Sequence, residues 1–111
     1  MGEVVHNKLV RDGIPGIIRA DGGEPITRVL DDADYRRELL RKLVEEATEL
    51  LESDGSLDER GDVEEVLRAL DEHLGHDTEA IEQARADKAT KRGGFMGRIF
   101  LEKVITDERT D

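Results

Sequence analysis

Two stretches of helical period, one from about Asp34 to Glu52 and one from about Leu57 to Leu74, are separated only by the break Ser53-Asp54-Gly55-Ser56. A connection this short turns the chain straight back on itself, so the sequence predicts a tight antiparallel helical hairpin. At about 100° per residue, Leu39, Leu40, Leu43, Val44, Ala47, Leu50 and Leu51 form the apolar stripe of the first helix. Val63, Val66, Leu67, Leu70 and Leu74 form that of the second, and Gly75 is its stop signal. One hairpin cannot enclose both stripes, so a four-helix bundle-type core made with a second subunit is expected.

The remaining segments are shorter. Val4 to Val10 is β-branched and extended in character, and Asp12-Gly13-Ile14-Pro15 is a turn that feeds a short helix through Ile17, Ile18 and Arg19, closed by Asp21-Gly22-Gly23. Glu24 to Leu30 reads as a second extended segment, after which Asp31 or Asp32 offers an N-cap to the first long helix. Asp77 or Thr78 caps a third helix expected to reach about Lys91. Arg92-Gly93-Gly94 breaks it, Ile99-Phe100-Leu101 suits a short strand, and a charged tail runs from Asp107 to Asp111. The prediction is a mainly α single domain, residues 1–111, with short extended segments at both ends.

Composition narrows the partners. With 111 residues, 36% hydrophobic, and a single tyrosine and two phenylalanines as its aromatics, the chain has material for a modest core only. A formal charge of −11 argues against a nucleic-acid polymer or an anionic membrane as a general partner and leaves small charged ligands. The absence of cysteine excludes thiol catalysis and disulfides, and no secretory leader opens the chain at Met1-Gly2-Glu3, so a cytoplasmic location is expected. The acidic surface would suit a salt-rich cytoplasm, where self-repulsion is screened.

The acids themselves are patterned. On the first long helix Glu46 falls just outside the stripe, Glu49 about 60° beyond it on the same side, and Glu45 almost opposite the stripe. On the second, Glu59 lies inside the stripe, where a leucine would be expected, and Asp62 one turn further on at the rim. An ionised carboxylate on a core face needs a cation, a hydrogen-bonding partner or a raised pKa. Two i, i+3 acid pairs beside the stripes of antiparallel helices would converge on one groove, a hard-oxygen arrangement that suits Mg²⁺, or Mn²⁺, facing phosphate groups. Taken singly, each cluster reads more often as a solvated helix face, and the rival reading is a non-catalytic acidic helical module for dimerisation or regulation.

The sequence Glu45-Glu46-Ala47-Thr48-Glu49 followed by Glu59-Arg60-Gly61-Asp62 resembles the paired Glu-Glu-x-x-Glu and Glu-x-x-Asp motif of the MazG-type all-α nucleotide pyrophosphohydrolases, which include the phosphoribosyl-ATP pyrophosphohydrolases. Asn7 to Pro15 and Lys91-Arg92-Gly93-Gly94-Phe95 are also similar to a small branch of that superfamily. The resemblance implies Mg²⁺ held by Glu46, Glu49, Glu59 and Asp62, and Glu45 as a further ligand or base, so that Glu45, Glu46 and Glu49 form the catalytic set. It implies cleavage of a nucleoside triphosphate or phosphoribosyl nucleotide to the monophosphate and pyrophosphate, with house-cleaning of aberrant nucleotides as the implied role.

Such a site needs cations for the outer phosphates, and Lys8, Arg11, Lys88, Lys91 and Arg92 are the candidates. The last three also suit the C-terminus of a helix for its macrodipole alone. Arg60 is positioned to pair with a motif acid and compete with the metal, and Gly61 weakens its helix by about 1 kcal/mol relative to alanine. Phe95 is expected to close the small core. His6, His73 and His76 are scattered and given no catalytic part, and no phosphate-cradling Gly-x-x-x-x-Gly-Lys loop is present.

Overall fold

The computed structural model describes residues 2–106; the charged tail lies outside the described residues. Its order is α1 (Ile14–Ala20), α2 (Asp32–Glu52), α3 (Leu57–Leu74) and α4 (Thr78–Arg92). No strand occurs among the described residues, so Val4 to Val10, Glu24 to Leu30 and Ile99 to Leu101 are irregular rather than paired. The expected strand at Ile99 to Leu101 is thereby corrected: a β-branched, aromatic-containing triplet does not make a strand without a neighbour to bond to.

Each long helix is capped by a side chain that satisfies one of its free backbone donors. The Asp31 carboxylate accepts from the Asp34 N–H at 2.8 Å, the Ser56 hydroxyl from the Glu59 N–H at 3.2 Å, and the Asp77 carboxylate from the Ala80 N–H at 2.7 Å. The α2–α3 connection turns through two left-handed residues, Asp54 (φ 56°) and Gly55 (φ 87°). Gly75, at φ 73°, ends α3 in the left-handed conformation, as its position predicts.

The chain divides into two compact units, Met1–His76 and Asp77–Asp111, each described by itself. In the first, α2 packs along α3. Leu39, Val66 and Leu70 are its buried centre, flanked by Leu43, Tyr35 and Ala69 and by Leu9 from the N-terminal segment. The Tyr35 ring meets His73 edge-on at 4.9 Å between centroids, which places His73 in the packing at the end of α3. The second unit is α4 and the segment after it. Phe95 is 96% exposed there, which corrects its expected place in the core. None of the described helices is long and apolar enough to cross a membrane.

Candidate metal centre

The hairpin brings the acids of α2 and α3 together close to its turn. One carboxylate oxygen from each of Glu46, Glu49 and Glu59 lies within 4.8 Å of the others, spacing that suits shared ligation of one ion. Asp62 joins through Glu59 rather than directly: Asp58, Glu59 and Asp62 make a second set within the same limit. Glu59 therefore belongs to both sets, and the four predicted ligands form a chain of carboxylates rather than a single ring. Asp58, which sequence reasoning passed over, is exposed; its i, i+4 spacing to Asp62 was the available signal.

Glu46 is the buried acid, 8% exposed. Helical phase set it just outside the stripe, but the face α2 turns to α3 runs through Leu39, Leu43, Glu46 and Leu50, to one side of the stripe's centre. One oxygen of Glu46, Oε1, takes Lys42 Nζ at 3.3 Å. The other, Oε2, is buried without a hydrogen-bond partner, and so is Oε2 of Glu59. Buried, unpaired carboxylate oxygens are costly, and two of them in one acidic cluster leave the site short of positive charge.

The proton affinities reflect that shortage. Burial, and after it the adjacent Glu49, pushes the Glu46 carboxyl above the usual glutamate range, against the pull of Lys42. Glu59 is pushed up by burial and then by the negative charges of Asp62, Asp58 and Glu46. Glu45 behaves in the opposite way: burial works to raise it, but Lys8 and Lys42 together outweigh burial and hold it below the usual range.

Two side chains from the N-terminal segment reach this cluster. Lys8 Nζ donates to Glu45 Oε1 at 3.1 Å, and the Arg11 guanidinium donates to Asp62 Oδ1 at 2.8 Å, with Leu9 packed on the core between them. Residues 8–11 thus strap the open side of the hairpin. Glu45, expected opposite the packed face and in solvent, is half-buried because Lys8 and Lys42 converge on it. Lys42 was missed, although its i, i+3 and i, i+4 spacing to Glu45 and Glu46 could have shown it.

Arg60 is corrected as well. It pairs with Glu64 at 3.0 Å, one turn along α3, and not with a motif acid. Gly61 has open space where a side chain would project, in a shallow groove lined by Arg11, Leu57, Asp58, Asp62 and Glu65. Lys88, Lys91 and Arg92 are exposed residues of α4 in the second unit, the last two in its final turn. Of the predicted cations, the structure brings Lys8 and Arg11 to the acids of the first unit.

A 47-residue stretch of the chain is 49% identical to an uncharacterized protein of Mycolicibacterium smegmatis, covering 42% of this chain and 48% of that protein. The chain thus matches about half the length of that relative. No family model matches the sequence, and no solved structure matches it.

Proposed function

We propose that the chain is a Mg²⁺-dependent nucleotide pyrophosphohydrolase of the cytoplasm, converting a nucleoside triphosphate or phosphoribosyl nucleotide to the monophosphate and pyrophosphate. The observation that carries this reading is the pair of buried, unpartnered oxygens on Glu46 and Glu59 beside Glu49. An all-oxygen donor set of that kind fits Mg²⁺ or Mn²⁺, which share a preference for carboxylates.

Glu46, Glu49 and Glu59 would hold the ion, with Asp62 as the next ligand along the chain of acids. When bound, the ion supplies Lewis-acid charge neutralisation to the polyphosphate. Glu45 is kept ionised by its two lysines, so it can accept a hydrogen bond from an attacking water and orient it in line with the scissile phosphorus. Lys8 pairs with Glu45 and Arg11 with Asp62, and each can exchange its carboxylate partner for a phosphate oxygen.

Incubation of the full chain with Mg²⁺ and a panel of canonical, damaged and phosphoribosyl nucleotides tests the activity, and pyrophosphate release from no member, under conditions where the protein is folded, rejects it. The other reading, a non-catalytic dimerisation module, has the exposed apolar side of α2 in its favour. It predicts that Mg²⁺ leaves the melting temperature unchanged, whereas the hydrolase reading predicts a rise that grows with ion concentration.

A further inference from the structure

Glu45 and Glu46 are neighbours in sequence, yet the fold uses their oxygens differently. Both oxygens of Glu45 carry a cation: Lys8 Nζ lies 3.1 Å from Oε1 and Lys42 Nζ 3.3 Å from Oε2. Glu46 is only half satisfied. Lys42 Nζ lies 3.3 Å from its Oε1, and its Oε2 is buried with no partner. The residue common to both acids is Lys42, whose side chain is 15% exposed.

Helix geometry alone does not account for that placement. An acid four residues before a lysine is the favoured order on a helix, and Glu38 stands there, but Glu38 pairs with Arg41 at 3.3 Å. Lys42 turns forward instead, the less favourable order, and its ammonium reaches one oxygen of each glutamate.

The occupied oxygen restricts how Glu46 can meet an ion. Ca²⁺ takes about six to eight oxygens and often grips a carboxylate by both, whereas the smaller Mg²⁺ demands a near-octahedral shell. An ion gripping both oxygens of Glu46 would lie about 2.5 Å from Oε1, and so within about 6 Å of the Lys42 ammonium, setting a double and a single positive charge against one buried carboxylate. An ion taken by Oε2 alone leaves Oε1 to the ammonium.

We propose that Lys42 is a positioning residue that sets ion specificity. By holding Oε1 it makes Glu46 a one-oxygen ligand through Oε2, and by sharing Glu45 with Lys8 it keeps Glu45 out of the coordination. Both effects bias the site toward Mg²⁺ and Mn²⁺ and against Ca²⁺. This role rests on the reading of Glu46, Glu49 and Glu59 as ion ligands and requires no particular substrate.

Mn²⁺ bound to the full chain without nucleotide is read by electron paramagnetic resonance, and Mg²⁺ and Ca²⁺ are titrated against it. Removing the ammonium strengthens every divalent ion by charge alone, so the ratio is diagnostic. In Lys42→Met the Ca²⁺ dissociation constant should fall roughly tenfold relative to that of Mg²⁺, the lower end of what a group behind a metal ligand is worth. Lys42→Arg, which keeps the charge, should hold the parental ratio, and so should Glu45→Gln, which leaves Lys42 on Glu46. If Lys42→Met fails to fold, Lys42→Ala reads the same ratio. An unchanged ratio in a folded neutral variant overturns the proposal, as does an equal shift in Glu45→Gln. A chain that binds none of the three ions overturns it together with the metal centre. A chain that shows the ratio shift but releases no pyrophosphate from any nucleotide upholds it while rejecting the hydrolase.

Discussion

The Arg11 guanidinium lies 2.8 Å from the Asp62 carboxylate, a bond that joins residues 51 positions apart and ties the N-terminal segment to α3 at the acidic cluster. Both partners are substantially exposed, so the pair contributes little to stability, about 0–1 kcal/mol. Its larger effect is competition, because a carboxylate held by a guanidinium is less free for an ion. Arg11→Met should leave the melting temperature nearly unchanged and tighten Mn²⁺ binding measured by electron paramagnetic resonance. Weaker Mn²⁺ binding in this variant would mean that Asp62 needs the arginine to hold its position.

Glu59→Leu should raise the melting temperature of the metal-free protein, because it removes a carboxylate that burial and three neighbouring acids disfavour. The same substitution should abolish any stabilisation by Mg²⁺. Differential scanning calorimetry with chelator and with saturating Mg²⁺ reads both effects. A variant that keeps the full Mg²⁺ response removes Glu59 from the ligands.

The raised proton affinity of Glu46 and Glu59 has a definite sign in solution. In the window above the ordinary glutamate value of 4.5 the folded chain binds more protons than the unfolded one, so metal-free stability falls as pH rises through it. Glu45 works oppositely, its contribution being present above 4.5 and lost below it. Acidification from about pH 7 to about pH 5 should therefore raise the metal-free melting temperature, and Glu46→Gln or Glu59→Gln should flatten the slope. Saturating Mg²⁺ should reverse the trend, since the ion requires the ionised acids.

Gly61 lies in the interior of α3, at a position with room for a methyl group. Gly61→Ala should stabilise the protein by about 0.5–1 kcal/mol in urea denaturation. A stabilised variant with a higher KM would mean that the open space beside Asp62 is used by the ligand.

Ser56 caps α3 through the N–H of Glu59, so one hydroxyl both closes the helix and fixes the backbone of a candidate ligand. Ser56→Ala should cost about 1 kcal/mol, and Ser56→Asp should recover most of it. Loss of Mg²⁺ response in the alanine variant together with its rescue by aspartate would trace the effect to positioning.

The helices were legible because their signals are local. The Asp31, Ser56 and Asp77 side chains, Gly75, and the two periodic stripes need no knowledge of the rest of the chain, and the hairpin follows from the brevity of its turn. The pairing of acids across the hairpin was legible for the same reason. What failed depends on tertiary choice: α2 offers a stripe wide enough for two contacts, and sequence alone does not say that α3 takes the side bearing Glu46 and leaves Val44 exposed. The approach of Lys8 to Glu45 and of Arg11 to Asp62 leaves no periodic trace, nor does the choice of Arg60 for Glu64.

The strap also imposes an order in time. During synthesis residues 8–11 leave the ribosome before the hairpin, and Lys8 and Arg11 must wait for partners made 37 and 51 residues later. The hairpin, whose helices are joined by a few residues, closes a far shorter loop and can form as soon as α3 emerges. The strap is thus made before the hairpin but docks after it, and until it does the acids have Lys42 as their cation from within α2. A cation taken up during that interval would meet the carboxylates before Arg11 does, so divalent ion present at translation, rather than added afterwards, would set which partner Asp62 first acquires.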